Sequence, residues 1–194
     1  NTAQEAAKLV NIEILDDEEP IFDLKIAMKR NSLVMPKMLL KKGDALKKIN
    51  NSEYVIEDEI TIGGQDHFYL EGQISLVIPD EDNKFTVWSS TQHPTEVQHC
   101  VANVLGISQA KVTSKVRRLG GGFGGKESQA SIIASITALC SWYFGKPAKL
   151  RLTRHDDMLA TGKRHDFLSL YKVGFNLDGR IQGLEVNLLS RAGN

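Results

Sequence analysis

A run of glycines near the middle of the chain constrains its fold more than any other feature. Residues 119–128 read LGGGFGGKES, so five glycines fall within six positions around Phe123. Glycine adopts backbone angles that a Cβ atom forbids, and it lets a ligand approach the main chain closely. Alternation at 112–116 predicts a strand before the run, and residues 127–144 predict a helix after it. A glycine loop in this position points several backbone N–H donors at one place, which predicts a site for an anionic or strongly polar ligand.

A dinucleotide-binding pattern overlaps the loop. Gly120, Gly122 and Gly125 fit G-x-G-x-x-G, which alone is a weak signal. The pattern requires an acidic residue about twenty positions further on, at the end of the next strand. The next acidic residues beyond the loop, Asp156 and Asp157, come too late, after a long helix and a strand.

A phosphate-binding pattern overlaps the loop as well. Residues 120–126 fit G-x-x-x-x-G-K, but this chemistry needs Ser or Thr at the next position to hold magnesium. Glu127 occupies that position, and its negative charge would repel a phosphate. A nucleotide phosphate-binding module therefore stays only as an alternative. A glycine turn that packs the strand against the helix, in a structural or interaction module, is another.

Charge and hydropathy limit the possible partners. The 194 residues carry 24 basic and 24 acidic side chains, a balance that predicts no nucleic-acid partner. No apolar run reaches the length of a membrane span and no signal peptide is recognisable, so we expect no membrane partner and a cytoplasmic location. Cys100 and Cys140 lack the spacing of metal ligands and are predicted to be buried free thiols.

The remaining pattern mixes hairpins with helices, which predicts an α+β fold. Strands are predicted at 10–15, 54–62, 69–78, 85–89, 148–152, 167–175 and 181–189, and further helices at 4–9 and from Pro94 to a stop at Gly106. On the helix after the loop, the predicted buried side carries Ile132, Ile133, Ile136, Leu139 and Tyr143. A break in the pattern predicts a boundary between domains at 1–35 and 36–194. The last sheet edge has no obvious partner, so we expect the chain to be a piece of a longer protein.

Several motifs occur in a fixed order along the chain. They are GGQDHFYLE at 63–71, SSTQHP at 89–94, GGGFGGKE at 120–127, DML at 157–159 and GKRH at 162–165. Together they resemble the molybdenum-binding large subunit of the xanthine dehydrogenase and aldehyde oxidase family, from about residue 43 onward and more loosely before it. The resemblance implies that residues 1–35 are the C-terminal end of an α/β-hammerhead-type domain. Residues 36–194 would be the N-terminal portion of a molybdopterin-binding domain with mixed sheets and helices.

The resemblance assigns cofactor contacts to Gln92, Gly121, Gly122, Phe123 and Gly124. In the family, the glutamine after the Ser-Thr pair donates its amide hydrogen to an oxo ligand of molybdenum. In the family the glycine loop lies against the metal and its pterin, so Gln92 and Phe123 are both expected to contact ligands of molybdenum. Neutral N–H donors suit this role because they add no charge. From the residues alone, Gln92 could instead face solvent at a helix start, and Phe123 could be a hydrophobic plug.

Glu127 is the residue that the resemblance links to substrate. Purine-oxidising members of the family carry glutamate here, whereas aldehyde oxidases carry an apolar residue. A carboxyl group can hydrogen-bond the edge of a purine and steady charge that develops on the ring. The alternative is a solvated glutamate, which the dipole at the start of the following helix favours.

The resemblance further implies that the parent enzyme hydroxylates purines, from hypoxanthine or xanthine to urate, with an aldehyde oxidase as the alternative. Its cofactor would be a molybdenum–pterin, as molybdopterin or its cytosine dinucleotide. Electrons would leave through 2Fe–2S centres to FAD on other segments or subunits, and the full enzyme would be oligomeric. The family's catalytic base lies beyond Asn194, so this chain is expected to hold no catalytic residue and not to act alone.

Other polar clusters are predicted to carry no chemistry. His67 and His93 have no second histidine at ligand spacing, and molybdenum in this family takes its sulfur ligands from the pterin. The charged residues at 154–157 are predicted to form a solvated turn, and those at 163–165 a surface loop.

Overall fold

The computed structural model describes residues 2–192, except for the side chains of Ala3 and Gln4. Within this range the chain divides into two compact units, one that ends at Lys42 and one that begins at Gly43. The predicted division into domains at 1–35 and 36–194 stays a prediction, because compactness within this chain does not show which parts form a domain in a longer protein.

The first unit holds two short helices, α1 (Thr2–Ala7) and α2 (Leu24–Lys29). The predicted helix at 4–9 corresponds to α1, with both ends earlier in the chain. The carboxylate of Asp23 caps α2 by accepting two backbone N–H groups of its first turn. Residues 10–15 form no strand, contrary to the prediction. No described segment pairs with them, and an unpaired strand leaves its backbone groups without partners in the protein.

The second unit contains a four-stranded and a three-stranded sheet with helices packed against them. Its elements in chain order are α3 (Ala45–Asn50), β1 (Tyr54–Ile62), β2 (Ile74–Asp80), β3 (Lys84–Ser89), α4 (Pro94–Leu105), β4 (Val112–Lys115), α5 (Gln129–Phe144), β5 (Ala148–Arg151), α6 (Arg154–Ala160), β6 (Phe167–Phe175) and β7 (Ile181–Ser190). The four-stranded sheet has the order β4-β3-β2-β5, with β3 and β4 parallel and the other pairs antiparallel. The three-stranded sheet, β1-β6-β7, is antiparallel. The predicted α+β class is confirmed.

The main core lies between the four-stranded sheet and helices α4 and α5. It is formed by Val77, Phe85, Val87, Val97, Val101, Ala102, Val112, Ala134 and Ala138. Pro94 begins α4, where a missing N–H is harmless, and Gly106 follows its end in the left-handed conformation (φ 64°), as predicted. This core fixes the ends of β3 and β4, which lead to Gln92 and to the glycine loop.

The buried side of helix α5 differs from the side that the sequence predicted. Its buried side carries mostly small residues: Ala130, Ser131, Ile133, Ala134, Thr137, Ala138 and Ser141. Ile132, Ile136, Leu139 and Tyr143 were predicted to be buried but are between 40% and 76% exposed. Apolar residues surround this helix, so periodicity does not single out its inner face. The small residues form that face because they let the helix pack closely against the sheet.

Three further predictions were wrong in detail. The strand predicted at 69–78 begins only at Ile74, because the preceding residues turn toward the glycine loop, where the N–H of Glu71 donates to Gly120. Residues 154–157 begin helix α6, and Asp157 is buried rather than solvated. The two cysteines were predicted to be buried, but Cys100 is half-buried and Cys140 is exposed.

In the described part of the chain, no helix is long and apolar enough to span a bilayer.

The three-stranded sheet is built on the predicted hairpin of β6 and β7, which turns at Gly179 with φ 77°. Helix α3 packs against these two strands. Two glycines permit the close approach: a Cβ on Gly174 would lie 2.8 Å from Cα of Ile49, and one on Gly183 would lie 2.7 Å from the carbonyl oxygen of Ala45. Strand β1 is exposed along its whole length.

Candidate functional site

The glycine loop, residues 120–126, turns sharply between β4 and α5. Positive φ angles occur at Gly121 (93°), Phe123 (53°) and Gly124 (91°). Phe123 adopts this conformation despite its Cβ, which costs about 1 kcal/mol. Its ring is 74% exposed, so Phe123 does not act as a plug of the described core.

Gln92 is held against the glycine loop in one orientation. Its side-chain oxygen Oε1 accepts the N–H of Gly124 at 3.0 Å and that of Lys126 at 3.3 Å. Its backbone N–H donates to the carbonyl of Lys126 at 2.9 Å. Because both groups that face Oε1 are donors, a flipped amide would not fit. The NH₂ group therefore points elsewhere, and it has no hydrogen-bond partner among residues 2–192.

The loop offers further donors next to this amide. The backbone N–H groups of Gly121, Gly122 and Phe123 donate to no described residue, whereas that of Gly125 closes a turn with the carbonyl of Gly122 at 2.8 Å. A Cβ on Gly122 would lie 2.4 Å from Oε1 of Gln92, so the contact requires glycine. The structure thus brings the predicted cofactor residues together. The Gln92 amide and the N–H groups of Gly121, Gly122 and Phe123 form one group of neutral donors, and Gly124 holds the oxygen of Gln92.

Two charged residues behind the loop were missed by sequence reasoning. Lys126 is fully buried; its Nζ donates to the carbonyl of Glu71 (2.6 Å) and to Oγ of Ser90 (2.7 Å). The Glu71 carboxylate accepts the O–H of Ser90 (2.6 Å) and the N–H of Gly120 (2.9 Å), and it lies 3.6 Å from Nζ. Burial lowers the pKa of Lys126, and the charge of Glu71 opposes that shift. A phosphate loop needs its lysine to reach the ligand, so this inward direction argues against that alternative.

A second buried network supports the end of the loop. The O–H of Tyr69 donates to Oδ1 of Asp157 at 2.6 Å, and Nε2 of Gln73 donates to the Tyr69 oxygen (3.1 Å) and to the carbonyl of Gly125 (2.9 Å). The backbone N–H of Gln73 donates to the other oxygen of Asp157 at 2.7 Å. Burial raises the pKa of Tyr69, and the hydrogen bond to Asp157 raises it further. The only sequence signal for these residues is that most of them fall within the ordered motifs.

The second unit offers two cavities as candidate sites. A polar cavity of about 220 Å³ adjoins the loop and is lined by His67, Gly124, Gly125, Ser128, Gln129, Gly162, Lys163 and His165. A larger groove of about 560 Å³ lies on the three-stranded sheet and contains none of the predicted site residues. His67 packs its ring on Gly125, where a Cβ would lie 2.7 Å from Cγ. Residues 2–192 contain no group of three or more His, Cys, Asp or Glu side chains that could hold a metal directly.

Glu127 lies at the surface, directly after Lys126 and two positions before α5. Glu127 is exposed, and its carboxylate makes no hydrogen bond or ion pair with residues 2–192. Its role toward substrate stays a prediction.

Comparison with known proteins identifies the family. A family model described as the molybdopterin cofactor-binding domain matches residues 28–194. The chain belongs to this family. The resemblance seen in the ordered motifs is thereby confirmed at the level of the family.

Relatives of this molybdopterin cofactor-binding domain include enzymes with different substrates in their names. The chain is 43% identical over 191 residues to a xanthine dehydrogenase of Dictyostelium discoideum, and 40% identical over 192 residues to aldehyde oxidase 2 of Macaca fascicularis. Each match covers 98% of this chain and 14% of the relative, so the chain spans about one seventh of their length. A crystal structure of a Cu,Mo-CO dehydrogenase shares the fold, with a TM-score of 0.73, 22% identity and coverage of 96% of this chain and 26% of that one.

The donor set of this domain fits a molybdenum–pterin cofactor. Oxo and pterin groups are hydrogen-bond acceptors, and Gln92 with the loop N–H groups supplies donors that stay neutral at every working pH. Gly122 leaves free the space that a Cβ would fill beside Gln92.

Proposed function

We propose that this chain is part of a molybdenum hydroxylase of the xanthine dehydrogenase type. In this proposal it holds one side of the molybdenum–pterin cofactor and presents Glu127 to a purine. The orientation of Gln92 carries the proposal, because its oxygen is occupied by two loop N–H groups and its NH₂ group is left to donate to a ligand. The bound cofactor would supply the redox chemistry that oxidises the purine.

The residues of the chain bind and orient rather than transfer protons. Gln92 and the N–H groups of Gly121, Gly122 and Phe123 would stabilise negative charge on acceptors without changing their own charge. Gly124 would contribute by holding the oxygen of Gln92 through its own N–H. Glu127 would hydrogen-bond the edge of the purine ring. The general base would come from another part of the full-length protein, as would the 2Fe–2S centres and FAD.

Other features of the full-length protein belong to the same proposal. We infer a cofactor in the form of molybdopterin or its cytosine dinucleotide, an oligomeric enzyme, and a location in the cytoplasm. These inferences rest on membership of the family.

An aldehyde oxidase is the second candidate, because aldehyde oxidases match this chain nearly as well as xanthine dehydrogenases do. The two candidates differ in what they need at Glu127. A purine offers ring N–H groups and nitrogen acceptors to a carboxyl group, whereas an aldehyde offers only its carbonyl oxygen, which an ionised carboxylate would repel.

The test uses the full-length protein. Molybdenum is measured by elemental analysis, and turnover is measured with xanthine and with an aromatic aldehyde. We expect stoichiometric molybdenum and preferential purine oxidation. Glu127→Gln should lower kcat/KM for the purine by about tenfold to hundredfold, the size expected for a hydrogen bond that involves a charged group.

Glu81→Gln is the matched control, because Glu81 is an exposed glutamate in the turn between β2 and β3. It should leave both activities unchanged. Purine turnover that survives Glu127→Gln would remove the role of Glu127, and faster turnover of aldehyde than of purine would favour the second candidate. Binding of ATP or NAD in a calorimetric titration, without molybdenum in the protein, would overturn the proposal in favour of a nucleotide-binding module.

A further inference from the structure

We propose that Lys126 is a positioning residue: its buried ammonium ties both ends of the glycine loop to Glu71 and so fixes the direction of the Gln92 amide. The proposal deepens the proposed function and rests on it for the effect on turnover. Its structural part concerns the protein alone, so it can be tested whether or not a cofactor is bound.

The side chain of Lys126 is buried, and its ammonium is surrounded by hydrogen-bond acceptors. Lysine is almost never fully buried unless it is paired, and this side chain is 0% exposed. Its ammonium has three N–H donors. Two of them donate to the carbonyl of Glu71 (2.6 Å) and to Oγ of Ser90 (2.7 Å). Nζ also forms an ion pair with the Glu71 carboxylate at 3.6 Å and lies 4.5 Å from the centre of the Tyr69 ring.

Glu71 connects this ammonium to the start of the loop. Its carboxylate accepts the N–H of Gly120 at 2.9 Å, and its backbone N–H donates to the carbonyl of Gly120 at 3.1 Å. A Cβ on Gly120 would lie 2.4 Å from Cβ of Glu71, so the two residues are already in contact. Displacement of Glu71 would therefore carry the first residue of the loop with it.

The main chain of Lys126 connects the same point to Gln92. The N–H of Lys126 donates to Oε1 of Gln92, and its carbonyl accepts the N–H of Gln92 (2.9 Å) and the O–H of Thr91 (2.9 Å). The side chain of Lys126 holds Glu71 while its backbone holds Gln92. One residue therefore sets the geometry of the donors at both ends of the loop.

The experiment compares Lys126→Met, Glu71→Gln and the double variant in the full-length protein. Methionine keeps the length and apolar stem of lysine and removes the ammonium. Within residues 119–126, the hydrogen-bonded amides are those of Gly120, Gly124, Gly125 and Lys126. Loss of the Lys126 ammonium should make hydrogen exchange of these amides about tenfold to hundredfold faster in Lys126→Met. Helix α4 should exchange at the wild-type rate. Since the two residues act as one pair, the double variant should change exchange by less than the product of the single effects.

Turnover supplies the readout that depends on the proposed function. In Lys126→Met, kcat per bound molybdenum should fall while KM for the purine changes little. The Gln92 amide and the loop N–H groups would no longer be held in one orientation, whereas the contacts to substrate would remain. Lys149→Met is the matched control, since Lys149 is an exposed lysine of β5, and it should change neither exchange nor turnover.

Unchanged exchange of residues 119–126 in Lys126→Met would overturn the proposal. Equal acceleration in the loop and in α4 would overturn it as well, because it would indicate a general loss of stability. Independent effects of the two single variants would show that they do not act as a pair. Faster loop exchange in a protein without molybdenum would support the positioning role and contradict the proposed function.

Discussion

The two sheets of the second unit differ in how much they bury. In the four-stranded sheet, β2 and β3 alternate fully and partly buried side chains and pack against α4 and α5. In the three-stranded sheet, all nine residues of β1 are exposed, and the short helix α3 packs on β6 and β7. Burial of apolar surface is the main source of stability. The four-stranded sheet is therefore the rigid region of this unit, and the three-stranded sheet contributes less.

The glycine loop takes its rigidity from the better-buried region. Glu71 precedes β2, whereas Ser90 and Gln92 follow β3, so the groups that hold the loop are themselves fixed by strand ends of the four-stranded sheet. The three-stranded sheet makes no comparable hydrogen bonds to the loop among the described residues. Substitutions should therefore disturb the loop when they lie near the four-stranded sheet, and much less when they lie in the other one.

The largest effect should come from Asp157, whose carboxylate joins the loop-side network. Asp157→Ala would leave the O–H of Tyr69 and the N–H of Gln73 buried without partners, which costs about 3 kcal/mol in the free energy of local opening. Hydrogen exchange of the amides of residues 69–76 in the full-length protein would measure this loss in the free energy of local opening. The neighbouring Asp156→Ala should cost less than about 1 kcal/mol, because Asp156 is exposed. Equal losses in the two variants would contradict the role of the buried network.

A pair of valines tests the two sheets directly. Val87 of β3 is 0% exposed, and Val87→Ala should lower the free energy of opening of its sheet by about 2 kcal/mol through lost burial and a cavity. Val186 of β7 is 49% exposed, and Val186→Ala should cost about 0.5 kcal/mol. Exchange of the amides of β3 and β7 would give both values. A large loss at Val186 would mean that the rest of the full-length protein covers this face, and the contrast between the sheets would then not hold there.

Local signals in the sequence predict much of the fold. The hairpin of β6 and β7 follows from alternation around a Gly turn. The ends of α4 follow from Pro94, whose ring fixes φ and removes the N–H, and from Gly106, which accepts the left-handed conformation at a helix end. The inner face of α5 does not follow, because residues on all its sides are apolar. The strand expected at 10–15 also fails, since β structure depends on a partner that the local sequence does not specify.

The sequence likewise predicts one part of the candidate site and not the other. Ordered motifs place Gln92 and the glycine loop, and the structure brings these residues into contact. The pairing of buried Lys126 with half-buried Glu71 could not be predicted, because the two residues are 55 positions apart in the chain and charged residues are expected at the surface. Asp157 was expected in a solvated turn for the same reason. Burial of a charge is decided by tertiary partners, which a pattern of residue types does not contain.

A smaller effect is expected from Gly122, where the loop meets Gln92. In Gly122→Ala the new Cβ would lie 2.4 Å from Oε1 and 2.5 Å from Cδ of Gln92, so the glutamine must swing away and give up the N–H groups of Gly124 and Lys126. We expect the free energy of local opening of residues 119–126 to fall by about 1 kcal/mol, and the molybdenum content to be lower. Gly63→Ala is the control, because no heavy atom lies within 4 Å of a Cβ there. Full molybdenum content in Gly122→Ala would argue against Gln92 as a cofactor contact.

The smallest effect concerns the pH dependence of the loop. Burial raises the pKa of Glu71, but hydrogen bonds from Ser90 and Gly120 and the charge of Lys126 outweigh it and hold the pKa below the ordinary value of 4.5. The opened loop then binds more protons than the closed loop just below pH 4.5, so the stabilisation that is present above this pH is lost as the pH falls through the lowered pKa. The effect is limited because the side chain of Glu71 is 40% exposed to solvent.

Comparison of the wild type with Glu71→Gln isolates this titration. Dividing the exchange rates of residues 119–126 in the two proteins at each pH cancels the intrinsic pH dependence of exchange. Above pH 4.5 the variant should exchange faster by a constant factor, because its glutamine carries no charge to pair with Lys126. Below that pH the factor should shrink toward one, since a protonated glutamate resembles glutamine. A factor that stays constant at acidic pH would mean that the charge of Glu71 does not hold Gly120. The rigidity of the loop would then come from packing rather than from the charges of Glu71 and Lys126.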